Sequence, residues 1–111
     1  MKISRFKVSK TIQTKLISYL TTSFSFEYKN IVPEITILAK EEFYFRTGSN
    51  QLNLIVINTI DSYLYIDIIG GGGGKGLFGI TWGSEMEFVR KTQNMIKEFC
   101  AMHQESIEIV E

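Results

Sequence analysis

The sequence predicts an α+β fold: a single antiparallel meander sheet with an N-terminal helix and a long C-terminal helix on one face. Three observations predict it. Apolar residues alternate with period two in successive short segments between residues 2 and 69. Two stretches near the ends, 10–20 and 84–103, repeat instead at three and four, the spacing of an amphipathic helix. The order strand, helix, several strands, helix then closes into one curved sheet. At 111 residues and 12.7 kDa the chain has room for one core, so residues 1–111 read as a single domain.

Lys2 to Val8 places Phe6 and Val8 on one side and Arg5 and Lys7 on the other, the first strand. Ser9 can cap a helix over 10–20, whose stripe is Ile12, Leu16, Tyr19 and Leu20. Thr21, Thr22 and Ser23 lower helix propensity, and Phe24, Phe26 and Tyr28 then alternate with polar residues as a second strand. Pro33 breaks the chain before a long, bulged strand over 34–46, with Ile35, Ile37, Ala39, Phe43 and Phe45 on one face. Thr47-Gly48-Ser49-Asn50 is turn chemistry, and the dense run Leu52, Leu54, Ile55, Val56, Ile57 predicts a strand buried on both faces. Asp61-Ser62 turns the chain into an alternating strand from Tyr63 to Ile69. Residues 70–76 read as a loop and Leu77 to Trp82 as a last short strand. Ser84-Glu85-Met86-Glu87 matches a capping box and opens the final helix, with Phe88, Val89, Thr92, Met95, Ile96, Phe99, Cys100 and His103 on its apolar face. Ser106 to Val110 is a terminal strand or a tail.

Composition excludes several classes. With 44% hydrophobic and 22% charged residues the chain is neither disordered nor coiled-coil in character. Its apolar runs fall well short of the roughly 18–20 residues of a membrane helix, so no membrane partner is expected. One cysteine and no leader point to a reducing, cytoplasmic setting. Twelve bases balance twelve acids, although residues 1–30 hold six bases and one acid. Nucleic-acid binders carry a larger positive excess, so this reads as a solvated basic face rather than a nucleic-acid site.

No catalytic constellation emerges, and no cofactor or metal is expected. Gly74 to Gly79 matches G-x-G-x-x-G, but no helix opens at those glycines and no parallel βαβ unit flanks them. The P-loop frame ending at Lys75 has Ile69 where glycine belongs and Gly76 where a magnesium-binding hydroxyl belongs. Gly72, Gly73, Gly74, Lys75 and Gly76 remain a candidate anion loop beside the plainer reading of a hairpin loop. One His and one Cys cannot build the usual N/S metal site. Cys100 and His103, three apart on one helix, lack an orienting third group and read as packing.

Two surfaces remain as binding candidates. Should the strands pair so that Tyr44, Arg46, Tyr63, Tyr65 and Asp67 share a face, the sheet offers an aromatic and charged interface away from the helices. Phe43, Phe45, Phe88, Met95 and Phe99 could instead line an apolar pocket between sheet and final helix, although in so short a chain such side chains ordinarily fill the core.

The stretch Glu42 to Asn50, the apolar strand after it, the run into Gly70-Gly71-Gly72 and the entry Ile80-Thr81-Trp82-Gly83-Ser84-Glu85 resemble a bacterial family of small proteins, domain of unknown function 6054. The resemblance covers a little over half the chain, and its longer glycine run sets this sequence apart. It implies a free-standing domain and brings no activity or functional residues with it. The element order is also similar to a reduced helix-grip or TATA-binding-protein-like fold, an analogy that carries no function. Without catalytic residues, the sequence points to a non-enzymatic module that associates with itself or another protein, with an apolar-ligand carrier and a phosphate-binding loop as alternatives.

Overall fold

Parity of the side chains along each strand decides which face of the sheet becomes core. The computed structural model describes residues 2–44, 49–71 and 84–110. They form β1 (Lys2–Ser9), a 3-10 turn (Lys10–Ile12), α1 (Gln13–Ser23), β2 (Tyr28–Ile31), β3 (Ile35–Tyr44), β4 (Ser49–Ile60), β5 (Tyr63–Gly71), α2 (Ser84–Met102) and β6 (Ile107–Val110). The strands make one six-stranded sheet in the order β2-β3-β4-β5-β1-β6, every neighbouring pair antiparallel. β1 therefore lies next to β5, and α1 carries the chain across the sheet from one side to the far edge.

Both helices lie on one face, as the sequence predicts. Ile12, Leu16 and Leu20 from the N-terminal helical segment join Phe88, Ile96, Phe99 and Cys100 from α2 in one buried cluster. The strands contribute Phe6, Val8, Leu38, Ile55, Ile57, Leu64, Ile66 and Ile68 to the same cluster. Burying each such side chain is worth roughly 1.5–3 kcal/mol, so the fold is held mainly from this side. Tyr19 stacks on Phe99 with ring centroids 4.8 Å apart, joining the two helices directly.

α1 runs to Ser23, three residues past the expected stop. The hydroxyls of Thr21, Thr22 and Ser23 donate to the carbonyls of Ile17, Ser18 and Tyr19, at 2.9, 2.7 and 2.7 Å. Groups that ordinarily compete with a helix are here occupied within it. Phe24 and Phe26 are buried but precede the second strand, which begins only at Tyr28. At the outer side of β3, the Glu27 N–H donates to the Ala39 carbonyl at 2.9 Å, and the Glu27 carboxylate accepts the Glu41 N–H at 2.7 Å. A side chain thus replaces a strand partner where β2 is absent.

The hairpin turns also differ in detail from the expectation. Ser49 and Asn50 already pair with Tyr44 and Phe43 in the ladder, so the β3–β4 connection is 45–48, outside the described residues. Asp61 takes a φ of 56° at the first position of the two-residue β4–β5 loop. Asp tolerates this left-handed region better than most residues. Gly70 and Gly71 pair with Asn53 and Leu52 as the end of β5, so the glycine run begins in a strand rather than in a loop. The expected strand from Leu77 to Trp82 lies outside the described residues. α2 begins at Ser84, where the capping signature put it, and residues 107–110 form a strand rather than a tail.

The largest departure concerns β3 and β4. The long strand's apolar side, Ile35, Ile37 and Ala39, faces away from the helices, while Thr36, Leu38, Lys40 and Glu42 lie on the helix-covered side. β4 is not buried on both faces: Ile55 and Ile57 are fully buried, whereas Leu52 on the other face is 45% exposed. Register supplies the reason. The clear alternation of β1 and β5 fixes which face meets the helices, and antiparallel pairing imposes that choice on β4 and then β3.

Candidate functional site

The open face of the sheet is built from the strand residues that alternation turns away from the helices. One row across five strands reads Tyr28, Ala39, Leu54, Ile69 and Ile3. The next reads Asn30, Ile37, Val56, Asp67, Arg5 and Val110, and the one after it Ile35, Asn58, Tyr65, Lys7 and Glu108. Tyr28 and Ile3 at the two ends of the first row are 54% and 50% exposed. No described element covers this face, although it carries more large apolar residues than a solvated strand surface requires.

Its charges are gathered on β5, β1 and β6, apart from the exposed Glu41 on β3, which stands opposite Leu52. Arg5 donates through Nε to Asp67 Oδ1 at 2.5 Å and through the guanidinium Nη2 to Oδ2 at 2.9 Å, a two-pronged pair. Hydrogen bonding to that carboxylate, and then its charge, push Arg5 above its ordinary value, so it stays a cation throughout. Lys7 holds its ammonium 4.1 Å from the centre of the Tyr63 ring and stands opposite Glu108 in the register. The face therefore has a mainly apolar half, with Glu41 at its end, and an ion-paired half.

Of the candidate interface residues, Tyr63, Tyr65 and Asp67 share this face. Tyr44 does not: by register it belongs to the rows of Leu38 and Glu42 on the helix-covered side, because β3 presents its even positions there. Arg46 lies outside the described residues. The leucine, isoleucine and valine positions of β3 and β4 that dominate the face were not singled out from the sequence. Their signal was the apolar run itself, read as a doubly buried strand.

The candidate pocket residues are divided. Phe88 and Phe99 are buried in the core, with Met95 packed against it. Phe43 falls by register among the open-face positions of β3, and Phe45 lies outside the described residues. Phe88 packs against Phe24 at 5.7 Å, and Phe99 is filled in by Tyr19 and His103 on either side. A shallow groove of about 290 Å³ opens elsewhere, between α1 and the β2–β3 turn, lined by Gln13, Ile17, Ile31, Val32 and Pro33. Gln13 closes its floor by donating to the Pro33 carbonyl and the Thr59 hydroxyl at 3.0 and 3.1 Å.

Polar chemistry on the helix-covered side is concentrated at one end of the sheet. Gln51 donates to Asn53 at 2.7 Å, Asn53 to Glu42 at 3.3 Å, and Lys40 pairs with Glu42 at 3.1 Å. Gly70 lies beside Asn53 in this row and is itself buried. These contacts link the groups into one structural polar row. Gly72, Gly73, Gly74, Lys75 and Gly76, the candidate anion loop, lie outside the described residues. Among the described residues no cluster of three His, Cys, Asp or Glu is placed to hold a metal ion, and no helix is long and apolar enough to cross a membrane.

Cys100 and His103 do not form a reactive pair. Cys100 is fully buried, and burial, followed by the charge of Glu105, pushes its thiol above the ordinary value. His103 is exposed beyond the helix end and stacks on Phe99 at 4.3 Å. A raised folded-state value means the neutral thiol stabilises the fold below the unfolded thiol's value, and that contribution is lost as pH rises through the folded one. Above about pH 8.5 the melting temperature of the wild type is therefore expected to fall faster than that of Cys100→Ala. Parallel pH profiles of the two proteins would contradict it.

A family model described as a family of unknown function matches residues 6–100, from the middle of β1 to the last turn of α2. No curated protein and no solved structure matches the chain. The match takes in the aromatic strand before Gly48 and the Thr81-Trp82-Gly83 helix entry together with nearly all of the sheet, and the chain belongs to this family, DUF6054.

Proposed function

We propose that this protein is a non-enzymatic association module that pairs with a second copy of itself through the open face of its sheet. The observation that carries the reading is the inversion in β3 and β4: Ile35, Ile37, Leu54 and Val56 face outward while Lys40, Glu42, Gln51 and Asn53 face the helices. Turning the more apolar side of two central strands to water is costly unless something covers it.

Size and charge both fit a second copy. Six strands about 4.8 Å apart and some eight residues long give a projected face on the order of 600 Å², which side-chain relief raises toward the roughly 800 Å² per partner of a standard interface. Acids and bases on the face are present together, as Arg5 with Asp67 and Lys7 opposite Glu108 beside one further acid, Glu41, so two identical faces meet with little net repulsion. Two sheets stacked in this way bury their inner faces as a β-sandwich does.

Light scattering over a concentration series is expected to give twice the 12.7 kDa chain mass, with dissociation on dilution. A strict monomer at the highest concentration reached would overturn the proposal.

A further inference from the structure

The open face is not uniform, and its division locates the symmetry axis of the pair. The row Tyr28, Ala39, Leu54, Ile69, Ile3 is apolar from end to end, and Leu54 is its middle member. Leu52 and Val56 flank Leu54 along β4 on the same face. On one side the ion pair Arg5–Asp67 begins one row away and Lys7 with Glu108 lies one row further; on the other side Glu41 stands one row away, opposite Leu52. Arg5 keeps 48% of its side chain exposed, so it is still substantially hydrated in the single chain.

Covering a charged pair strips that hydration, and the attraction between the partners commonly fails to repay the loss. The least costly pairing centres on the apolar row and keeps the charges off the axis, in line with the apolar core of stable interfaces in general. A two-fold interface brings any residue on its axis against the same residue of the other copy. We infer that the axis runs along the apolar row and passes over Leu54, so that the two Leu54 side chains meet at the centre of the dimer while Arg5–Asp67 and Glu41 lie off the axis on opposite sides of it. This assignment rests on the self-association proposed above and adds its geometry.

A charge exchange at position 54 tests it. The neighbours of Leu54 directly across the row are the uncharged Ala39 and Ile69, and the nearest charges of its own chain are the carboxylates of Asp67 and Glu41, diagonal to it on the adjacent strands. Leu54→Lys and Leu54→Asp are each expected to weaken dimerisation at least about a hundredfold, because each sets two like charges against one another in a desolvated centre. Mixed one to one, they are expected to restore a dimer containing one chain of each kind, which native mass spectrometry distinguishes from either homodimer. Far-UV circular dichroism verifies that both variants are folded. Should either fail to fold, Ala39→Lys and Ala39→Glu put the same question on the adjacent strand of the row. A wild-type monomer would remove the proposed function itself. A wild-type dimer whose single variants still dimerise, or whose mixture stays monomeric, would leave association standing and overturn the position of the axis.

Discussion

Aspartate at position 55 is expected to unfold this protein, whereas aspartate at position 54 leaves a folded monomer. The two residues are adjacent and equally apolar, but Ile55 is fully buried under the helices and Leu54 belongs to the open face. A carboxylate at 55 would sit among Leu38, Ile57 and Ile68 without a partner, at a cost of about 4 kcal/mol or more. That approaches the whole stability of a small domain, about 5–15 kcal/mol. Leu54→Asp removes a partly exposed side chain and leaves the new carboxylate within reach of water. Urea titrations followed by circular dichroism separate the outcomes. A cooperative transition of wild-type midpoint in Ile55→Asp would show that the two faces of β4 are assigned the wrong way round.

Phe99→Ala is expected to cost about 3–5 kcal/mol, the range for removing a large aromatic side chain from a core. Phe99 touches more than its own helix. It stacks on Tyr19 of α1 at 4.8 Å and on His103 at 4.3 Å, so its loss loosens the contact between the two helices as well as leaving a cavity. α1 then depends on Leu16, Leu20 and the anchors of Gln13. The expected readout is a large drop in the urea midpoint, with Phe99→Leu recovering much of it because the volume change is smaller. A loss below about 1 kcal/mol for the alanine variant would mean that the site collapses to refill the space.

Much of this fold was legible because each element announces its own period. The stripe in 84–103, the alternation of Arg5 and Lys7 against Phe6 and Val8, and the turn at Asp61-Ser62 placed α2, β1 and the β4–β5 hairpin nearly where they are. The open face was harder to read for a physical reason. In β3 the apolar residues occupy odd positions, and taken alone that strand assigns itself the opposite inward face. Only the pairing with β4, itself tied to β5 and β1, reverses the choice, and pairing between distant segments is not a local property of sequence. Tyr44 was grouped with Tyr65 for the same reason, whereas Tyr63, Tyr65 and Asp67 could be placed together because they share one strand. The end of α1 was missed because Thr21, Thr22 and Ser23 spend their hydroxyls on carbonyls of the preceding turn.

The carboxylate of Glu27 on the Glu41 amide has a consequence for where another molecule can join. Proteins that stack sheets face to face risk growing sideways as well, since a bare outer strand accepts another chain and then another, and the result is an endless ribbon. Where β3 runs on past the start of β2, the Glu41 amide that would greet an incoming backbone is already occupied by an anion that offers nothing in exchange, while β2 and β6 remain the border strands of the sheet. An added strand would have to stop short of that position, so any sideways partner of this border is held to the four residues of β2.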